Sequence, residues 1–380
     1  MNIVTAITNR VLMLRIDWAL LCALAISLLG LVTMHSVGGD NSLFYRQLAW
    51  IGLALAAYII CVFSDVRVLR RTGIALLAWG ISIGLLALLL IIGEYVLGAR
   101  NRFDLGPFSL QPSDPAQIAL IIVLAKYFAR RHVAIADVRH ILVSGIYAFT
   151  IFGLLFLQPD FGTAMVIFAI WLGMVVVSGI RLSHLALVFG TGLLAFLLLW
   201  QFGFADYQKE RIMTFLHPLS DIQGAGYNAY QSTVAVGSGE LLGKGIGYGT
   251  QSKLQFLPEY ETDFIFAAFS EEWGFVGAIV ALLLFWCVLW QILKIAIFGA
   301  TNFETLFASG FAIMLFAHIT IHIGMNIGLL PVTGLTLPFM SYGGSHLITE
   351  FAGLGILASM RRYAKTVPRG EADREFLGGL

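Results

Sequence analysis

Residues 72–93 read TGIALLAWGISIGLLALLLIIG, without one charged side chain from Thr72 to Gly93. About 20 predominantly apolar residues carry a helix across the hydrocarbon core of a bilayer. A strand of a membrane β-barrel would instead alternate apolar and polar residues over about ten positions, and no such alternation is present. The stretch, taken as 72–97, therefore predicts a transmembrane helix. Nine further runs of the same kind lie near 17–37, 46–63, 115–129, 140–157, 163–179, 183–203, 273–298, 304–330 and 343–360. Two of them, 115–129 and 163–179, are short enough to read as core helices or partial spans. The predicted fold is all-α, a polytopic membrane protein of about ten transmembrane helices.

Composition agrees. Of 380 residues, 59% are hydrophobic and 12% charged, and the mean hydropathy is +0.86. A soluble domain carries about 25% charged residues, so the apolar surplus must face lipid. This excludes a soluble enzyme, a basic-faced nucleic-acid binder and a disordered chain. Cys22, Cys61 and Cys287, each inside an apolar run, do not make a disulfide scaffold. The net charge of +1 says nothing about partners; the placement of charge says more. Threading ten spans puts both termini on one side, and that side collects 16 of the 23 Lys and Arg, among them Arg67, Arg70, Arg71, Lys126, Arg130 and Arg131. By the excess of basic residues it is cytoplasmic. The first run lacks a small-residue cleavage site and reads as an uncleaved anchor. The organisation expected is one transmembrane domain over 1–363, a large extracytoplasmic loop at 204–262 between spans 7 and 8, and a short cytoplasmic tail at 364–380. Function is expected on the outer face, where 98–114, the glycine-rich 204–262 and 331–342 are the richer segments.

Asp263 is the last polar residue before an apolar stretch, in Thr262-Asp263-Phe264-Ile265-Phe266. Two readings stand. Partial desolvation raises a carboxylate's pKa and makes it a better base, while Asp is also a favoured helix cap. Glu271 and Glu272 follow near the membrane edge and read as partners to an Arg, since carboxylates in a span are costly. Asp114 before Pro115, and Asp160 in Gln158-Pro159-Asp160-Phe161-Gly162-Thr163, read first as caps. Arg100 and Arg102 either hold an anionic head group or snorkel to the interface. His318, His322 and His346 do not make a zinc site and read as packing or hydrogen-bonding groups. There is no Walker A sequence, no GxSxG elbow and no Rossmann or haem signature, so no organic cofactor is expected.

At these motifs the sequence resembles the SEDS family, the polytopic membrane proteins of shape, elongation, division and sporulation. The resemblance spans about residues 12–363. It is carried by Asp221-Ile222-Gln223-Gly224-Ala225-Gly226-Tyr227, Gly237-Ser238-Gly239, Gly243-Lys244-Gly245 and Phe256-Leu257-Pro258-Glu259. Thr262-Asp263-Phe264-Ile265-Phe266, Glu271-Glu272, Leu330-Pro331-Val332-Thr333-Gly334 and Ser341-Tyr342-Gly343-Gly344-Ser345 continue it. The length and short tail are more similar to the elongation branch than to the division branch.

The resemblance implies a peptidoglycan glycosyltransferase that polymerises lipid II, as donor and acceptor, into β-1,4-linked strands. The work is done outside the bacterial cytoplasmic membrane, for cell elongation and shape. It implies Asp263 as the essential acid, which moves the base reading ahead of the cap. It points to Arg211, Lys244, Arg102, Asp160, Glu259 and Ser341 as substrate-binding residues, and to Asp114, Gln117, Glu271 and Glu272 as structural or activating ones. A divalent cation, Mg or Mn, is expected with ligands unassigned. The partners implied are a class B penicillin-binding transpeptidase and other elongation-complex membrane proteins, with no nucleic acid. The chain departs from the family at Asp114 and Gln117, where Glu and Lys are usual, and at His322, where Asn is usual. A flippase for a lipid-linked precursor and a non-catalytic scaffold for the transpeptidase are the rival readings.

Overall fold

The computed structural model describes residues 17–37, 42–93, 102–104, 109–129, 138–204, 206–217 and 226–364. The tail at 365–380, Arg100 and the Asp221–Ala225 part of the family motif lie outside the described residues. Each of the ten apolar runs holds a helix. In chain order these are α1 (Trp18–Val37), α2 (Ser42–Phe63), α3 (Thr72–Ile92), α4 (Ser113–Ala129), α5 (Val138–Leu157), α6 (Phe161–Val177) and α7 (Leu182–Leu198). A π-helical turn, Leu199–Gly203, extends α7. The segment 204–262 supplies α8 (Asp206–Leu216), α9 (Tyr227–Ser238) and the single turn α10 (Thr250–Lys253). Then come α11 (Ile265–Ile297), α12 (Asn302–Asn326) and α13 (Gly344–Ala364). The described strands are two, β1 (Phe103–Asp104) and β2 (Ser109–Leu110), an antiparallel pair. Seven helices among the described residues are long and apolar enough to cross a membrane on their own.

Helix α12 is the axis of the bundle. It packs on α4, α6 and α11, while α2 packs along α13 and α1 along α11. The short run at 115–129 is a core helix: most of α4 is buried, from Ser113 to Ala129, as an all-round apolar helix in a bundle must be. At the periphery, Leu77 on α3, Leu142 on α5 and Trp286 on α11 are each more than 60% exposed. Large apolar groups in that position face lipid.

Connectivity defines two ends. At one, Tyr58 Oη donates to Asp17 Oδ2 (2.8 Å), Ser359 Oγ to the Ser64 carbonyl (2.9 Å), and Arg70 pairs with the buried Glu304. At the other, Gln47 Nε2 donates to the Ser341 carbonyl (3.2 Å) and Ser345 Oγ to the Gln111 carbonyl (3.2 Å). Asp263 lies at this second end.

The glycines of the 237–249 stretch read as a loose loop in the sequence. They instead allow backbones to touch. Helix α11 kinks at Gly274 (φ 66°), a left-handed conformation that favours glycine. The kink breaks the helical hydrogen-bond ladder, and the 240–245 segment takes up the released groups. Lys244 and Gly245 N–H donate to the carbonyls of Glu271 and Glu272 (both 3.0 Å), and Phe275 and Val276 N–H donate to Glu240 and Leu241 (2.9 and 3.1 Å). A Cβ on Gly274 would lie 2.2 Å from Gly243 N, so no side chain fits.

Candidate active site

Asp263 is half-buried in a turn between the 204–262 segment and α11. Three successive amides, those of Thr262, Asp263 and Phe264, converge on the Glu259 carbonyl (3.2, 3.1 and 3.2 Å). Glu259 pays for this with a left-handed backbone, φ 48°, uncommon for a residue with a side chain. The cap reading of Asp263 is not what forms: the N-cap of α11 is Phe264. The Ala267 amide is taken from outside, by Asn326 Oδ1 on α12 (3.1 Å), while Asn326 Nδ2 donates to the Asp263 carbonyl (3.0 Å). One buried amide side chain thus caps α11 and fixes the backbone of Asp263.

A second clamp comes from 331–342. Ser341 Oγ donates to the Thr262 carbonyl and the Tyr342 amide to the Glu261 carbonyl, both at 2.8 Å. Ser341 therefore positions the turn through backbone contacts. Gly334 (φ 74°) brings this segment against the acid: a Cβ there would sit 3.5 Å from Asp263 Oδ2. Gly162 presses on the same segment, where a Cβ would lie 2.9 Å from the Thr333 carbonyl. The segment 333–335 thus joins the Asp160 motif to Asp263. Asp160 is the cap of α6, accepting from the Thr163 amide (3.1 Å). Burial pushes its carboxyl above the usual range, with the Asp114 charge adding to the shift. Beside Asp263, burial and then the neighbouring Glu259 raise Glu261, an acid the sequence reading passed over.

Arg211 is on α8, and its side chain lies outside the described residues. Two other α8 residues, Gln208 and Ile212, line a small cavity of about 30 Å³ with Phe161, Pro331 and Thr333. Arg102 is half-buried and precedes β1.

The remaining expected residues fall into two separate clusters. Glu271, fully buried, pairs not with an Arg but with Lys244 Nζ (2.7 Å), and its carboxylate accepts the Thr250 and Gln251 amides (2.9 and 3.1 Å). Lys244, expected at the substrate, is engaged by Glu271. Glu272 accepts from Ser36 Oγ and the Gly247 amide (2.7 and 2.9 Å). In the second cluster Asp114 lies inside the first turn of α4, after Ser113, and is no cap. His346 Nδ1 lies 3.3 Å from Asp114 Oδ1, and its Nε2 lies 2.9 Å from Glu350 Oε1. Gln117 Oε1 meets His318 Nε2 at 2.9 Å. Glu350 Oε2 accepts the amide of Phe339, itself left-handed at φ 61°. Asn326, His346 and Glu350 are the residues sequence reasoning did not place in a site. The i,i+4 spacing of His346 and Glu350 was the available signal.

Residues 9–366 match the cell cycle protein family FTSW_RODA_SPOVE. The chain belongs to this family. The peptidoglycan glycosyltransferase MrdB of Escherichia coli K12 is 37% identical over 341 residues, 89% of this chain and 91% of MrdB. A chain of a solved peptidoglycan synthase complex, described as coordinating polymerization and crosslinking, superposes with a TM-score of 0.80 at 34% identity. That match covers 93% of this chain and all of the other. The rod shape determining protein RodA of Thermus thermophilus gives a TM-score of 0.69 at 33% identity, over 92% and 98% of the two chains. As a member of this family the protein is a polytopic helical membrane protein.

Among the described residues no three His, Cys, Asp or Glu side chains come together as a metal site requires.

Proposed function

We propose that the chain is a peptidoglycan glycosyltransferase of the elongation type, polymerising lipid II with Asp263 as general base. The observation that carries this reading is the clamping of Asp263. Its backbone is held by Glu259 on one side and Asn326 on the other, with Gly334 against its carboxylate. A structural cap needs no such fixation; a base that must meet a hydroxyl in one geometry does.

In this reading Asp263 takes the proton of the acceptor GlcNAc 4-hydroxyl. The oxygen attacks the anomeric carbon of the donor MurNAc with inversion, and the β-1,4 bond forms as the lipid pyrophosphate leaves. A positioned carboxylate contributes about 10²–10⁴-fold. Arg102 and Arg211 are the basic residues assigned to the departing pyrophosphate. Lys244 is withdrawn from that role by its pairing with Glu271. Polyprenyl tails of both substrates lie along the apolar outer face of the bundle.

The sidedness follows from charge. Arg67, Arg70, Lys126, Lys294, Arg361 and Arg362 belong to the end remote from Asp263, which is cytoplasmic by the excess of basic residues. The described chain begins and ends there, at Asp17 and Ala364, and Asp263 faces the outside of the bacterial cytoplasmic membrane. A class B penicillin-binding transpeptidase is the partner, consistent with the synthase complex that the chain resembles. The test is lipid II polymerisation by the purified protein with its transpeptidase bound, comparing wild type and Asp263→Asn. Glycan strands from wild type and a loss of about 10²-fold or more in a folded mutant are expected. Equal polymer from both would remove Asp263 as the base, and none from either would favour a flippase or scaffold.

A further inference from the structure

A cavity of about 370 Å³ opens between α3, α4 and α5, at the end of the bundle remote from Asp263. Helix rise puts Lys126 about 18 Å along α4 from Asp114. The volume falls within the range of about 300–1,000 Å³ usual for ligand pockets. One wall is basic: Lys126 from the last turn of α4, then Arg139 and His140 from the first turn of α5. Thr72, the first residue of the 21-residue α3, also lines the cavity, and α3 begins at Arg71 without a side-chain cap. Uncapped amides at a helix start favour phosphate oxygens.

One helical turn along from Thr72 and Arg139, Leu76 and Val143 add an apolar lining that is partly exposed at the bundle surface, 40% and 37%. The floor is held in place by aromatic contacts. Tyr127 Oη and His140 Nδ1 are 2.9 Å apart, and the Trp79 indole N–H donates to the Tyr147 carbonyl at 3.1 Å.

We propose that this cavity binds the phosphate of an anionic phospholipid head group, with the acyl chains running along Leu76 and Val143. A free phosphate offers the same oxygens to Lys126 and Arg139. The exposed apolar lining at Leu76 and Val143 is the feature that a free ion would leave unused. The site is independent of the glycosyltransferase reaction.

The test uses the full-length protein in detergent, with bound lipid counted by native mass spectrometry after incubation with phosphatidylglycerol or phosphatidylcholine. Phosphatidylglycerol is retained and phosphatidylcholine is not. The double variant Lys126→Gln/Arg139→Gln binds phosphatidylglycerol about 25-fold more weakly, about fivefold for each basic group. Val143→Trp, which fills the cavity and leaves the charges in place, weakens binding as well. Arg361→Gln/Arg362→Gln, at the same end but on α13, leaves it unchanged. Equal retention by the cavity variants and wild type, or equal binding of phosphatidylcholine, overturns the proposal. Displacement of phosphatidylglycerol by inorganic phosphate overturns the lipid assignment in favour of a soluble anion.

Discussion

Lys244 Nζ sits 2.7 Å from Glu271 Oε1, and Glu271 is completely buried while part of Lys244 reaches solvent. The pair ties the glycine-rich 240–250 stretch to the kinked start of α11. The same carboxylate accepts the Thr250 and Gln251 amides and so holds α10 in place. This is a structural use of a lysine that sequence reasoning assigned to substrate.

Removing one partner of such a pair leaves a buried charge without compensation, at about 3–5 kcal/mol. Because Lys244 is partly exposed, Lys244→Ala is expected at the lower end, about 3 kcal/mol, read as a fall in thermal unfolding midpoint. Its KM for lipid II should stay near the wild-type value in the protein that remains folded. A KM rise with unchanged midpoint would return Lys244 to the substrate.

Gly274 and Gly237 make a matched contrast. A Cβ on Gly274 meets Gly243 N at 2.2 Å with φ at 66°, whereas one on Gly237 meets nothing within 4 Å. Left-handed backbone alone costs a residue with a side chain about 1–2 kcal/mol, and the clash adds to it. Gly274→Ala is expected to lose about 3 kcal/mol or more. Gly237→Ala, in helix α9, should be neutral or gain up to about 1 kcal/mol. Similar midpoints for the two variants would show that the kink is not required.

Much of the fold was legible because lipid imposes length and composition together: every apolar run became a helix. The short runs at α4 and α6 needed the structure, since a core helix and a span share the same apolar composition. Helix α8 lay inside a stretch that the sequence assigns whole to a loop, and α9 was hidden among glycines, of which Gly239 and Gly243 permit backbone contact with α11. The motif singled out Asp263 as a candidate, but the clamp on its backbone was not legible, because Asn326 reaches it across 63 residues of chain. The partner of Glu271 was misread for the same reason. Nothing near it in the sequence distinguishes Lys244 from an Arg elsewhere.

His346 between Asp114 and Glu350 gives a third prediction. Both acids are buried, at 3.3 and 2.9 Å from the imidazole nitrogens. His346→Ala should destabilise by about 3–5 kcal/mol, as other losses from buried ionic groups do. Neutralising both acids, Asp114→Asn with Glu350→Gln, should make the same His346→Ala change milder. A coupling of about 0.5–3 kcal/mol is expected. Simple additivity in the thermal midpoints would mean that the three groups do not act as one unit.

The last prediction returns to Asn326, which is fully buried. Its side chain satisfies the Ala267 amide, the Asp263 carbonyl and the His322 carbonyl, the last at 2.8 Å. Asn326→Ala takes this partner from the Ala267 amide and the Asp263 carbonyl, at about 1–3 kcal/mol for a buried polar group. The larger effect should be on rate. With the Asp263 backbone released on one side, a displacement of about 1 Å is enough to cost about 10²-fold. The expected pattern is a fall of that order in kcat for lipid II polymerisation with KM changed little, because Asn326 positions the acid and does not touch substrate. Ser232→Ala removes a hydroxyl that donates to the Asn326 carbonyl (2.9 Å) and, at 3.4 Å, to its Oδ1, but leaves the Ala267 and Asp263 bonds of Asn326 in place, and should slow the reaction far less. If Asn326→Ala folds and keeps its kcat, the amide serves only to cap α11, and the position of Asp263 is set from the Glu259 and Ser341 side alone.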